Sequence, residues 1–121
     1  MPDTDVQTVS HLVRRAVALC DPDGRDDATT QLLEAFEDDD RPALGLGDSL
    51  AEELRSTVEG LDPEGDSAAA EVAAAVAIFL AAQPEGGDHP VDTLREAARI
   101  EWRGEPPPNV RAWLAEHGAG D

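Results

Sequence analysis

Apolar residues along this chain recur three or four positions apart, a spacing that places them on one face of an α-helix. β-branched and aromatic residues never alternate with polar ones over a useful span, so the pattern does not predict strands. It indicates an all-α domain of about six helices. We expect three antiparallel hairpins, arranged either as a compact bundle or as a short HEAT-like array.

Capping residues, prolines and glycines set the expected helix boundaries. Thr4 with Gln7, and Ser49 with Glu52, fit the capping box in which a hydroxyl begins a helix and a longer side chain three positions on closes it. Asn109 is expected to cap the last helix. The predicted helices span residues 5–20, 27–38, 49–61, 67–83, 90–103 and 109–117.

The segment from Val72 to Ala82 has no polar position, and a helix that is apolar on all sides is a buried one. We therefore expect the helix over residues 67–83 to form the centre of one domain that covers residues 1–121. Its alanines would let neighbouring helices approach closely. The same segment is too short to cross a bilayer, which needs about 20 apolar residues. Residues 1–4 and 118–121 are expected to fray.

Two stretches of the chain align when the sequence is shifted by 41 residues. Val13 and Arg14 then fall on Leu54 and Arg55, and the D-P-D-G turn at residues 21–24 falls on D-P-E-G at residues 62–65. A duplicated helical hairpin is one interpretation of this match. The other is that such turns are common between helices, and that amphipathic helices align with each other by default.

Charge changes the picture of where such a bundle is stable. Twenty-seven carboxylates face nine arginines and no lysine, and the formal net charge is −18. This repulsion opposes folding at low ionic strength and is screened in molar salt. The composition predicts a cytoplasmic protein of a salt-accumulating halophile, with the GC-rich bias of an actinobacterium as the alternative. The single cysteine, Cys20, and a start without signal-peptide features fit that compartment.

The string Leu-Gly-Leu-Gly-Asp-Ser-Leu at residues 44–50 is the sharpest local motif. It resembles the phosphopantetheine attachment site of acyl and peptidyl carrier proteins, in which a serine in a Gly-x-Asp-Ser-Leu context opens a helix. The resemblance covers about a dozen residues and implies that Ser49 would carry the prosthetic arm. Gly47 directly precedes Asp48, where that family has one more residue. The alternative is that Asp48 and Ser49 only cap a helix and Leu50 joins the core.

Other polar groups lack the spacing that catalysis or metal binding requires. The three histidines, at positions 11, 89 and 117, have no metal-ligand spacing with one another or with Cys20. The acidic turn after residue 20 is not an EF-hand, because Asp26 and Leu32 occupy the positions of its glycine and glutamate. We therefore predict that the protein is not an enzyme and holds neither a metal nor a cofactor.

Arginine and tryptophan cluster near the end of the chain. Three arginines spaced by four residues share one face of the fifth predicted helix, and both tryptophans follow closely. Because both residue types are enriched at the energetic centres of interfaces, we predict a non-catalytic adaptor that binds a protein partner there. In the alternative interpretation the arginines pair with nearby carboxylates and the tryptophans belong to the core. The predicted partner-binding residues are Arg95, Arg99, Trp102, Arg103, Arg111 and Trp113.

Nucleic-acid binding is not favoured, since phosphate contacts need a basic surface. Residues 6–20 contain no acid and include Arg14 and Arg15, which leaves a helical DNA reader as an alternative. A second alternative is a regulator whose acidic face mimics DNA. The sequence predicts neither the identity of a partner nor the oligomeric state.

Salt dependence of folding tests the halophile interpretation. The far-UV circular dichroism signal should be weak in about 50 mM KCl and should recover in about 2 M KCl, where the Debye length falls to a few ångströms. A spectrum that stays the same across this range would contradict the interpretation.

Overall fold

The computed structural model describes residues 8–21, 24, 26–42, 48–63, 67–82 and 90–118. These residues form six helices and, apart from one isolated bridge between Thr8 and Pro42, no β-structure. The predicted all-α class is therefore confirmed. The helices are α1 (Val9–Cys20), α2 (Asp27–Ala35), α3 (Asp48–Leu61), α4 (Ala68–Ala82), α5 (Pro90–Trp102) and α6 (Pro108–Glu116).

α4 lies at the centre of the fold, as the sequence predicted, and contacts all five other helices. Its residues 72–77 are buried without interruption. Alanine side chains fill most of these positions, and their small size lets the surrounding helices approach α4 closely. Each neighbour contributes an apolar stripe to the same core. Fully buried members include Val9, Leu12, Val13, Leu32, Leu50, Leu54, Val72, Val76, Leu80 and Val110.

The two stretches of the proposed repeat share one hydrogen bond across the connection between their helices. In each copy an aspartate follows the first helix, and its carboxylate accepts the backbone N–H of the residue five positions on. The Asp21 Oδ2 accepts from the Asp26 N–H at 2.8 Å, and the Asp62 Oδ2 accepts from the Ser67 N–H at 2.6 Å. Asp26 and Ser67 then cap the following helices through their own side chains. These pairs are all related by the 41-residue shift.

Packing of the two copies favours the compact bundle over the array. In a linear array the first helices of adjacent hairpins would stack, so that α1 would pack on α3. Instead, the most extensive packing joins α1 to α4, and α2 packs on α3. The turns of the two copies also meet, since the Ser67 hydroxyl donates to the Asp26 carboxylate at 2.9 Å. Crossed packing of this kind is expected for two units related by an approximate two-fold rotation.

The last two helices run antiparallel, and both pack on α4. The side chain of Arg95, near the start of α5, reaches the Gly118 carbonyl just beyond the end of α6, at 3.5 Å. At the opposite end, Trp102 and Asn109 both lie next to Glu71 of α4. The end of α5 is thus close to the beginning of α6. Gly118, with φ of +77°, follows the last turn of α6 as the sequence predicted.

The first helix begins at Val9, four residues later than predicted, so the boundary at residue 5 is wrong. Thr8 is the N-cap, and its hydroxyl accepts the His11 N–H. The carbonyls of Arg41 and Asp39 accept the free amides of the first turn, those of Val9 and Ser10. Distant backbone therefore satisfies the first amides of α1. The predicted capping box cannot be compared with this arrangement, because its residues 4 and 7 lie outside the described part of the chain.

Boundaries of α2, α3 and α6 also differ from the prediction. α2 ends at Ala35, because the amide of Phe36 bonds the Leu33 carbonyl in a tighter turn. α3 begins one residue before Ser49, which is therefore inside the helix and not its cap. α6 begins at Pro108, a residue well suited to a first helical position, and Asn109 is its second residue. The side chain of Asn109 bonds across to α4 instead of capping.

Close packing around α4 predicts a sharp dependence on side-chain size. Ala73→Leu should lower the free energy of unfolding by about 1–3 kcal/mol or more, because Ala73 is fully buried between helices. Ala82→Leu is the matched control, since Ala82 is exposed at the end of the same helix. Urea denaturation in high salt measures both. Equal and small effects of the two substitutions would contradict the packing described.

Candidate functional site

The outer face of α5 carries the one large apolar side chain that is exposed among the described residues. Leu94, Ala97 and Ala98 are buried against α4, so the opposite side of α5 faces solvent. Ile100 lies on that side and is 58 % exposed. Arg99 is its neighbour and is also exposed. We call Glu96, Arg99, Ile100 and Arg103 the α5 face. Glu96 is partly exposed, and the other three residues are exposed.

The arginines of α5 are held only loosely. Arg95 pairs with Asp92 at 3.4 Å, and Arg99 pairs with Glu96 at 3.1 Å, each within one turn of the helix. Such pairs on a helix surface stabilise by about 0.2–0.5 kcal/mol, so they give up little when a partner binds. Arg103 follows the end of α5, where it adopts a positive φ of 52° and is exposed.

The two tryptophans are half-buried and pack against the core. Trp113 stacks on His117 one turn later, with ring centroids 3.8 Å apart. Arg95 lies at this end of the hairpin, because it contacts the Gly118 carbonyl. Arg111, two residues before Trp113, is exposed on α6.

Trp102 lies at the other end of the hairpin, in a cleft of about 190 Å³ between α3, α4 and α5. Trp102 lies seven positions after Arg95, which corresponds to about 10 Å along the helix. The six predicted residues therefore occupy two ends and one outer face of the α5–α6 hairpin. We call this cavity the Trp102 cleft; it is lined by Arg55, Val58, Glu59, Glu71, Ala74, Glu101 and Trp102.

A forked ion pair closes one side of the Trp102 cleft. The Nε and Nη2 atoms of Arg55 donate to the two carboxylate oxygens of Glu101 at 3.0 and 2.8 Å. This geometry is the bidentate arrangement in which a guanidinium binds a carboxylate most strongly. It joins α3 to α5 across 46 positions of sequence.

Glu71 is the half-buried carboxylate of the Trp102 cleft. Burial raises the pKa of Glu71 above its usual range, and the nearby charge of Asp62 adds to this effect. A hydrogen bond from Asn109, at 3.4 Å, acts in the opposite direction. The charged form of Glu71 is therefore the costly one in this environment.

Sequence reasoning missed this cleft, because its acidic residues come from three helices. A usable signal was nevertheless present. Glu71 is the one charged residue of α4 and directly precedes the apolar run that begins at Val72. A lone carboxylate in an otherwise apolar central helix marks a place where that helix reaches the surface.

The residue on which the carrier resemblance depends, Ser49, is exposed near the start of α3.

A second cavity lies between α2 and α3, next to the buried ring of Phe36. Arg41 bridges two residues of its lining, with ion pairs to Asp39 at 2.6 Å and Glu53 at 2.8 Å. The Arg41 guanidinium holds the pKa of Asp39 below its usual range. These contacts join residues 39–41 to α3.

Comparisons of this chain with protein-family models, with curated proteins and with solved structures give no match. Among the described residues, no three histidine, cysteine or acidic side chains are grouped to bind a metal. In the same part of the chain, no helix combines the length and the apolar character needed to span a membrane.

The environment of Glu71 predicts a pH-dependent effect of removing its charge. Glu71→Gln should raise the free energy of unfolding at pH 7 by about 0.5 kcal/mol or less, since the site is partly exposed. A raised pKa in the folded state penalises folding above that pKa, and the penalty disappears once the group is protonated in both states. The gain should therefore vanish near pH 4. Parallel denaturation of variant and wild type measures it, and a gain that grows as pH falls would contradict the assignment.

Proposed function

We propose that this protein is a non-catalytic interaction module that binds a protein partner through the α5–α6 hairpin. The observation that carries the proposal is the α5 face, where Ile100 is exposed between Arg99 and Arg103. Burial of the Ile100 side chain in an interface would remove apolar area from water. The planar guanidinium groups of the neighbouring arginines would supply directional hydrogen bonds. The contributing set remains Arg95, Arg99, Trp102, Arg103, Arg111 and Trp113.

Charge distribution supports the choice of this hairpin. Residues 90–118 hold four of the nine arginines but only five of the twenty-seven carboxylates. This part of the chain is therefore close to neutral, while the remainder carries almost all of the negative charge. A partner that approaches the hairpin meets less like-charge repulsion and fewer hydrated carboxylates than on α2 or α3, although α1, which has no carboxylate, shares this property.

A high-salt cytoplasm, which we infer from the composition, would favour such a surface. Molar salt screens exposed ion pairs, including those that Arg95 and Arg99 make within α5. Salting-out ions strengthen the burial of apolar groups such as Ile100. Packing of Trp102 and Trp113 against the core fixes the hairpin before binding, so little conformational entropy is lost at the interface.

The carrier-domain alternative is supported by the exposure of Ser49 near the beginning of α3. A transferase could reach a serine in this position. Two features depart from the carrier pattern. Gly47 directly precedes Asp48, where that family has one more residue, and the additional helix α2 stands before Ser49. An acidic mimic of DNA, or a DNA reader that uses Arg14, would rest on charge alone, so both stand behind the hairpin proposal.

Charge reversal on the α5 face tests the proposal against a matched control. Arg99→Glu should reduce partner recovery about tenfold or more, as expected for an interface residue worth at least 1.4 kcal/mol. Arg14→Glu makes the same change at an exposed arginine of α1 and should leave recovery unchanged. The measurement is quantitative affinity purification from the native lysate in high salt, with helix content checked by circular dichroism.

Two outcomes would contradict the hairpin proposal. One is full recovery of the partner with Arg99→Glu together with Ile100→Ser. The other is equal loss with Arg99→Glu and Arg14→Glu, which would show that total charge, and not the α5 face, governs binding.

A further inference from the structure

We propose that the Trp102 cleft is the subsite into which the partner inserts an arginine side chain. This inference rests on the proposed function and names the group that anchors the partner at one end of the α5–α6 hairpin. It is carried by the shape of the cleft, by the tryptophan in its lining and by the position of Glu71 within it.

The size and lining of the cleft suit one long side chain. Its volume of about 190 Å³ is below the roughly 300–1,000 Å³ of pockets that bind drug-sized ligands. Val58 and Ala74 are buried residues that give it an apolar floor, suited to the methylene groups of a long side chain. Trp102 also lines the cleft, and an indole is a group on which a planar cation can stack.

Charge in the cleft is complementary to a guanidinium. Glu59, Glu71 and Glu101 contribute three carboxylates, whereas Arg55 is the one cation of the lining and already binds Glu101. Burial disfavours the charged form of Glu71, repulsion from Asp62 adds to this cost, and the hydrogen bond from the Asn109 amide acts against it. A guanidinium placed against Glu71 would compensate this cost, because it supplies both opposite charge and two parallel N–H donors.

The fork between Arg55 and Glu101 shows within this chain the chemistry that we assign to the partner. It holds a guanidinium against a carboxylate within the lining of the same cleft, at 2.8–3.0 Å. Arginine fits the remaining space better than lysine, because the ammonium group is a point charge that neither stacks flat nor bonds in parallel. A partner arginine would thus extend an existing ion pair into a network of alternating charge.

The experiment uses the two tryptophans as separate reporters. The chain has two tryptophans, so wild-type protein labelled with ¹⁵N gives two indole N–H resonances, which Trp113→Phe assigns. N-acetyl-arginine amide is titrated in about 1 M KCl, where unspecific attraction by the net charge is screened. The Trp102 resonance should shift saturably while that of Trp113 stays in place. The lysine analogue should bind about fivefold or more weakly.

Charge-matched variants decide whether Glu71 provides the contact. Glu71→Gln should raise the apparent dissociation constant about tenfold, while Glu34→Gln, on the exposed side of α2, should leave it unchanged. Absence of a saturable Trp102 shift, equal weakening by both variants, or equal binding of the lysine analogue would overturn the inference. If the shift is absent but Arg99→Glu still removes the partner, the hairpin proposal stands and only the cleft assignment falls.

Discussion

Close contact between α4 and its five neighbours is the interaction on which the rest of the structure depends. The chain has only two phenylalanines and two tryptophans, so few side chains can bridge a wide gap between helices. Alanine at most core positions of α4 removes the gap instead, and valine and leucine from the other helices fill the remaining space. Since α4 has no polar face in its middle, every side of it needs a cover. That requirement holds six short helices in one bundle.

The same constraint places polar chemistry at the beginning of α4. Its first turn reaches the surface, and there Ser67 bonds Asp26 while Glu71 meets Asn109 and the Trp102 cleft. α2 and α3 are amphipathic and turn their carboxylates outward. α1 has no carboxylate, and residues 90–118 balance five carboxylates with four arginines. The negative charge of the described helices is therefore concentrated on α2 and α3.

Local signals in the sequence were sufficient for the helices, but not for the contacts that adjust their ends. Apolar spacing, Pro90 and Gly118 predicted α5 and the end of α6 because each acts within a few residues. The start of α1 depends instead on the carbonyls of Asp39 and Arg41, some thirty residues away. Likewise, Glu71 diverts the side chain of Asn109 from the cap that the sequence predicted. The Trp102 cleft could not be predicted either, since Arg55 and Glu101 meet only after the bundle forms.

The 41-residue correspondence gains physical meaning where its two copies touch. Asp26 and Ser67 occupy equivalent positions, cap equivalent helices and bond each other at 2.9 Å. The two residues differ in a way that suits this contact. Two aspartates would place like charges together, whereas aspartate with serine provides one acceptor and one donor. The interpretation as a duplicated hairpin therefore requires divergence at this pair.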